Sequence, residues 1–561
     1  MKILFINPVP PGDLQPIAFH HGIGSLSAVL KEAGHHTAGL ILSDFEAPRI
    51  DETIVTCQPD LIGISCVTNQ MELATQVANY VLHKYSIPVI AGGVHATVAP
   101  LDWLAVEKLF AVCRGESEEA LLELVERMEH DQEYLKTRNF WFKRHKTIQK
   151  NELRPLIDDL SLLPLPDREV FDFQMLVDEH PEAEFLTGRD CPYTCSYCIN
   201  ATKREIYHLQ KLKIRRRNVA HVLEEINHVL ARYHGITRIG FDDDIFTFDR
   251  DWLITFCEEY KKQHQLPFWI NARVNHLDQE LITTLSQSGC EEIRMGVESG
   301  DPHIRREVLH RHISDKQIES AFELVKKAGI KTWSFNMIGF PTETEETLFK
   351  TIDLNKKLQP DEIFVSIFQP YQGTPIYNKC QEEGLLKNNS VSSYFAPHTL
   401  LRLKHISEER LLYLYKVFRN FVHSPAGIYH GLGWHDWEEE NGHSFRWTEK
   451  EAEFLLEPEK IIKAVSVTFS CHHPDIQHNP VTCFLTVPSQ SRQKKIVVSH
   501  NNIVAVSIKL KHQVGRRTRL TLSVDRTWNP HVVSGAADDR DLGLKVLRIS
   551  SRQSTFRFGF S

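Results

Sequence analysis

Three cysteines fall within eight positions of one another. Cys191, Cys195 and Cys198 stand in TGRDCPYTCSYCIN (187–200), spaced C-x-x-x-C-x-x-C. Three thiolates on one short loop can hold three corners of a cubane [4Fe–4S] cluster and leave the fourth iron open to a small molecule. Zinc asks for a fourth Cys or His at similar spacing, and none follows nearby. The chain has 11 cysteines in all, an odd number spread widely, which does not suit a disulfide framework. The eight outside the loop are scattered singly and read as small buried apolar residues.

The loop heads a long strand–helix alternation. Strands are expected at 184–188, 238–244, 268–274, 292–299, 332–340 and 362–370, with helices such as 218–233, 279–289 and 314–329 between them. Six such units suit a partial or full β/α barrel, whose chemistry lies at the C-terminal strand ends. Before it, apolar runs at 2–7, 60–66, 88–96 and 109–116 alternate with helices at 22–35 and 73–85. Continuous apolar strands separated by helices imply a doubly wound parallel sheet, with a ligand crevice at the carboxyl strand ends. The segments facing it are 7–12, Ser65–Asn69, Gly92–His95 and Gly115–Glu116. The Gly92-Gly93 pair either lets a flat, bulky ligand approach the backbone or simply makes a tight turn. Pro155, Pro164 and Pro166 mark an ordered linker. From about residue 431 short strands follow one another without helices, the pattern of a β-sandwich. The expected fold is α/β throughout its first two parts. The expected boundaries are a first domain at 1–150, a linker at 151–180, a core at 181–400, a helical connection at 401–430 and an accessory sandwich at 431–561.

On these motifs the chain resembles the radical S-adenosylmethionine (SAM) enzymes, over most of residues 180–380. Tyr197 precedes the third cysteine, as that motif has it. GFDDDIFTFD (240–249) resembles the second-strand element that receives the SAM amino group, with Asp243 and Asp244 as the matching carboxylates. NARVN (271–275) puts Arg273 at the end of the third strand. RMGVESGD (294–301) resembles the fourth-strand element whose acid, here Glu298, contacts the SAM ribose. NMIGFPTET (336–344) and FQPYQGTPIY (368–377) resemble the strand ends that close around adenosine. The resemblance implies cluster ligation by Cys191, Cys195 and Cys198, with SAM contacts from Tyr197, Asp243, Asp244, Arg273 and Glu298. It also implies reductive cleavage of SAM to a 5′-deoxyadenosyl radical, with no catalytic side chain beyond the cluster and cofactors.

Residues 1–130 resemble the cobalamin-binding domain that precedes the radical core in one large class of these enzymes. GISCVTNQ (63–70), AGGVHATVAP (91–100) and CRGESEEAL (113–121) carry the likeness, and Ser65, Gly92 and Gly93 are the implied cobalamin contacts. The D-x-H-x-x-G element that supplies an axial histidine in some cobalamin proteins is absent after the first strand. None of His20, His21, His35, His36 and His95 is therefore expected on cobalt. The alternative is a retained fold with an empty or repurposed crevice. The C-terminal segments GWHDWEEENGHSFRWT (433–448) and DRTWNPHVVSGAADDRDLGLKV (525–546) resemble a β-rich module found beside enzymes of cell-surface polysaccharide and glycolipid assembly. Trp434, Trp437, Trp447 and Trp528 read as sugar-stacking faces or as core aromatics. CHHP (471–474) reads as a plain strand end rather than a metal site.

Composition narrows the partners. The 561 residues carry 65 Lys+Arg against 73 Asp+Glu, a formal net charge of -8, so no broad basic footprint invites nucleic acid. No apolar run approaches the roughly 18 residues of a membrane span, and MKILFINPVP reads as a first strand rather than a signal peptide. A cytoplasmic enzyme is expected. Its expected reaction is cobalamin-dependent methylation of an unactivated carbon or phosphorus centre. Cyclisation, oxidation or epimerisation is the alternative outcome. A non-catalytic carbohydrate-binding protein is the other class, and the intact cysteine loop argues against it. The expected partners are a small-molecule, lipid or glycan-type substrate and a one-electron reductant such as flavodoxin or ferredoxin.

Overall fold

Seven strands form the first sheet: β1 (Lys2–Pro8), β2 (His36–Leu42), β3 (Leu61–Ser65), β4 (Val89–Gly92), β5 (Ala111–Cys113), β6 (Phe140–Arg144) and β7 (Thr147–Lys150). Their order is β2-β1-β3-β4-β5-β6-β7. The pairs from β2 to β5 are parallel, and the β6–β7 hairpin is added antiparallel at one edge. This computed structural model describes residues 1–9, 18–144, 147–387, 398–424, 427–440, 442–457, 462–510 and 517–553. The crevice segment 7–12 therefore runs partly outside the described residues, and position 511, within the expected sandwich, lies outside them. β1, β3 and β4 are apolar along nearly their whole length because helices cover both faces of the sheet. β2 and the helix Ala47–Cys57 were not among the expected elements. β2 lies at the sheet edge and is only half buried along much of its length, so it lacks the continuous apolar run of the central strands.

Six parallel strands make the second sheet: β8 (Glu182–Phe185), β11 (Arg238–Phe241), β12 (Phe268–Ala272), β13 (Cys290–Glu298), β14 (Lys331–Ile338) and β15 (Glu362–Ile367). A two-stranded ribbon, β9 (Gly188–Arg189) with β10 (Arg215–Arg216), stands after β8. The sheet runs in sequence order from β8 through β11 to β15 without closing, a half-barrel. Its floor is packed by Trp269, whose indole donates to Glu182 Oε1 (2.5 Å) and lies 3.5 Å beneath the Arg294 guanidinium. Gly240 makes that possible: a Cβ there would come within 2.4 Å of the indole. β11 ends at Phe241, short of the expected 244. Three consecutive carboxylates leave the ladder there and stand at the strand end, where ligands bind in such folds.

The residues fall into two compact units, Met1–Thr351 with Pro360–Leu412, and Ile352–Gln359 with Tyr413–Ser561. Both sheets above belong to the first unit. In the second, two antiparallel five-stranded sheets enclose an apolar core that includes Val465, Val467, Phe469, Leu485, Leu520 and Leu522. One sheet holds β16 (Ile428–His430), β19 (Glu451–Leu456), β21 (Val481–Val487), β22 (Arg492–Val498) and β24 (Thr518–Val524). The other holds β17 (Trp434–Glu440), β18 (His443–Thr448), β20 (Ile462–Ser470), β23 (Val504–Lys509) and β25 (Lys545–Gln553). Trp434 and Trp447 are core residues and Trp528 packs beside Trp447. Trp437 is 42% exposed, with His430 edge-on and Arg446 over its ring. His473 of the CHHP segment pairs with Asp475 (2.5 Å).

Candidate functional site

The cysteine loop leaves β9 at the mouth of the half-barrel. Ser196 anchors it, donating its hydroxyl to the Val308 carbonyl (2.6 Å) and its N–H to the Leu309 carbonyl (3.1 Å). The three thiols line a cavity of about 550 Å³ over the barrel mouth. Among the described residues no three His, Cys, Asp or Glu side chains close around a single metal ion. Three thiols on one cavity wall, with no fourth Cys or His at similar spacing in the sequence, suit a polynuclear cluster better than mononuclear zinc. Burial pushes the Cys191 and Cys198 thiols up to about 12. Such thiols ionise only beside a strong positive charge, which iron supplies. Arg311 donates to Cys195 and to the Gly296 carbonyl (2.6 Å). The residues therefore fit the cluster.

Glu298 reaches the same cavity through a backbone irregularity. The β13–β14 register shifts between Gly296 and Glu298, and Glu298 adopts φ +64. That left-handed conformation is costly for a residue with a side chain. It turns the carboxylate into the cavity, where it meets the Tyr197 hydroxyl and lies 3.8 Å from Arg311. Gly296 is required beneath: a Cβ there would stand 2.3 Å from Glu298 Oε1 and 2.8 Å from Arg311 Nη2. The G-x-E spacing of GVES thus has a steric cause.

The acidic triplet divides its labour. Asp243 is 3% exposed and accepts from the Thr187 N–H (3.2 Å) and hydroxyl (3.0 Å), tying β11 to β8. Asp242 and Asp244 stand open. Asp244 accepts from Asn200 (2.9 Å), whose amide also approaches Cys198 Sγ (3.7 Å). Arg273 is 5% exposed, its guanidinium 3.7 Å over the Tyr193 ring, and its Nε has no hydrogen-bond partner among the described residues. The Tyr193 hydroxyl in turn meets His276 Nε2 (2.7 Å). Deeper in the barrel, burial and the neighbouring Asp242 carboxylate push Glu184 up to about 7.

A second cavity, of about 480 Å³, lies at the carboxyl ends of the first sheet. Ser65, Gly93 and Gly115 line it from the first domain, and Arg189, Ile199 and Tyr207 from the segment that carries the half-barrel. Gly92 is not on its wall. Gly93 has φ +89, and a Cβ there would lie 2.7 Å from the Cys66 carbonyl, so this turn needs glycine to pass β3. A broad, half-open slot between two domains suits a flat cofactor with a polar rim. His20 and His21 also line it. His20 Nδ1 caps a helix by accepting the Ile23 N–H (3.1 Å) and Nε2 meets Ser65 Oγ (3.3 Å), so both ring nitrogens are engaged. His95 is instead tied to Thr68 and Asp102. The two cavities share Asn200, Asp242 and Asp244 as a common wall.

Sequence reasoning missed Arg311, Asn200, Tyr193 and Glu184. Arg311 lies in an irregular stretch after the π-turn Ile304–Val308, and nothing in its neighbourhood marks it.

Residues 185–354 match the family model described as the radical SAM superfamily, and residues 12–125 match the B12-binding domain. The chain carries a B12-binding domain ahead of a radical SAM domain, and it is a radical SAM enzyme. The first domain implies cobalamin; the second implies SAM and a [4Fe–4S] cluster. An uncharacterized methyltransferase of Pyrococcus horikoshii is 27% identical over 422 residues, 73% of this chain and 90% of its own length. The anaerobic magnesium-protoporphyrin IX monomethyl ester cyclase of Rubrivivax gelatinosus is 24% identical over 400 residues, 68% of this chain and 70% of its own. The fold matches that of the radical SAM methyltransferase TsrM of Kitasatospora setae, solved with cobalamin and a [4Fe–4S] cluster. The TM-score is 0.57 at 17% identity, over 68% of this chain and 78% of that one.

Proposed function

We propose that this chain is a cobalamin-dependent radical SAM methyltransferase acting on a small molecule at an unactivated carbon or phosphorus centre. The supporting observation is the common wall of the two cavities, Asn200, Asp242 and Asp244. A methyl carrier in one cavity and a radical generator in the other must both reach the same substrate atom. When bound, the cluster and SAM supply one-electron chemistry, and cobalamin supplies a methyl carrier.

The chain's own residues do the positioning. Cys191, Cys195 and Cys198 hold the cluster, and Arg311 sets the charge around Cys195. Asp244, Tyr197 and Glu298 offer acceptors and a donor to the SAM ammonium and ribose hydroxyls. Arg273, a buried cation with an unpartnered Nε, takes the SAM carboxylate. Asp243 contributes by fixing the strand ends through Thr187. Ser65 and Gly93 bound the cobalamin slot, and Gly92 shapes the turn that leads into it. His20 keeps off cobalt because both its nitrogens are engaged. His21 lines the same slot and is likewise read as no cobalt ligand; nitrogen splitting from the protein in the cob(II)alamin resonance would refute that. The reading includes a cytoplasmic location, electrons from a reductant such as flavodoxin or ferredoxin, and a small-molecule substrate that extends to the lipid or glycan type. No described helix is long and apolar enough to cross a membrane.

The test is anaerobic reconstitution with hydroxocobalamin, a strong reductant and SAM, without substrate. Methyl transfer predicts one S-adenosylhomocysteine per bound corrinoid. Formation of 5′-deoxyadenosine alone would instead favour a cyclisation or oxidation.

A further inference from the structure

The turn after β5 and the start of the cysteine loop meet in one buried ion cluster. Arg215 grips both oxygens of Glu116 (2.5 and 2.9 Å) and turns its Nε to Asp190 Oδ2 (2.7 Å). Lys203 donates to Asp190 as well. Arg189 pairs with Glu118 (2.6 Å) and approaches Glu116 (3.4 Å). Three carboxylates thus face three cations. The side chains of Glu116, Arg215 and Asp190 are 10%, 7% and 1% exposed. The linker joins in: the Ile157 N–H donates to Glu116 (3.0 Å) and the Ile157 carbonyl accepts from Arg215 (2.6 Å). The Glu116 N–H donates to the Tyr207 hydroxyl (3.1 Å).

Position makes this more than an attachment between domains. Glu116, Glu118, Arg189, Asp190 and Lys203 all line the cavity of the first sheet. Asp190 directly precedes Cys191 and is held at φ +77, a conformation that persists only where its surroundings enforce it. A buried, mutually neutralising ion cluster has few intermediate arrangements, because removing one partner strands another charge. Whatever fills the cavity presses on the same groups that set the backbone entering the cluster loop.

We propose that Glu116, Arg215 and Asp190 form a positioning relay that couples occupancy of the cobalamin cavity to the geometry of the cysteine loop, and hence to SAM binding. The proposal rests on the cobalamin reading of that cavity. Coupling between two sites is reciprocal, so cobalamin tightens SAM binding and SAM tightens cobalamin binding by the same factor, on the order of tenfold.

The experiment titrates SAM into the full reconstituted chain with and without hydroxocobalamin, and records the resonance of the reduced cluster in each state. In the parent chain cobalamin should raise SAM affinity about tenfold and shift the cluster signal. In Glu116→Gln, titrated at saturating hydroxocobalamin, both responses should vanish while iron per chain is retained. Arg215→Lys keeps the charge but cannot bridge two carboxylates. It should show the same loss, and it decides the matter if Glu116→Gln does not fold. Unchanged coupling in the variant that folds, or no coupling in the parent chain, overturns the relay. A parent chain that retains no corrinoid overturns the reading of the cavity, and the relay with it.

Discussion

Single residues separate the roles that one motif blurs. Cys195→Ala removes one of the three proposed cluster ligands, so iron per chain should fall and reductive SAM cleavage should stop; metal analysis and 5′-deoxyadenosine assay read both. Asp243 and Asp244 are neighbours with opposite commitments. Asp244→Asn should weaken SAM binding by about tenfold, the loss of a charge-assisted hydrogen bond, with little change in stability. Asp243→Asn should instead lower the unfolding midpoint, because the Thr187 contacts are buried; the opposite pattern would exchange the two assignments. Glu184 gives a pH signature. Its folded value lies near 7 against an ordinary 4.5, so between those values the folded chain holds a proton that the unfolded chain has lost. The stability tied to this group is present below 4.5 and fades as pH rises through 7. Thermal midpoints of Glu184→Gln should therefore fall less over that window than those of the parent.

Elements place these residues through a few close approaches. The β13 bulge works because Gly296 leaves room for the Glu298 carboxylate. Gly296→Ala should displace it and weaken SAM binding while iron content stays near the parent's. Gly115, at φ +74, lets the Tyr207 hydroxyl sit where a Cβ would be 2.0 Å away. Gly115→Ala should cost at least about 1 kcal/mol from the backbone alone, with a further loss from the clash. Adding Tyr207→Phe should recover the clash component only, which a double-mutant cycle by urea denaturation would resolve.

The whole molecule has two compact units with separate cores, so unfolding need not be a single transition. Its tryptophans report on both: Trp103, Trp141, Trp252, Trp269 and Trp333 in the first unit, and Trp434, Trp437, Trp447 and Trp528 in the second. Two fluorescence transitions are expected in urea. Hydroxocobalamin at a hundred times its dissociation constant should stabilise one of them by about 2.7 kcal/mol and leave the sandwich transition in place. A single transition that moves as a whole would show that the units unfold together.

The sequence alone determined the three-cysteine loop, the parallel strand series and the sandwich, because each is written locally. The cysteine spacing lies within eight residues, a buried parallel strand is a continuous apolar run, and half-buried strands alternate. It also singled out GVES and the acidic triplet as strand-end elements. Only the tertiary structure decided which acid stands open, since Asp243 and Asp244 differ by one position and the geometry at the end of β11 sends one to Thr187 and the other to Asn200. Only the tertiary structure brought Arg311 to Cys195, Tyr207 to Gly115 and Arg215 to both Glu116 and Asp190. Those partners are separated by tens of residues or more, and no periodicity or spacing links an ion pair to its mate. What joins them is tertiary packing, within the half-barrel for Arg311 and Cys195 and between the two α/β sheets for Tyr207 with Gly115 and Arg215 with Glu116, and it follows from burial over the whole unit rather than from any local pattern.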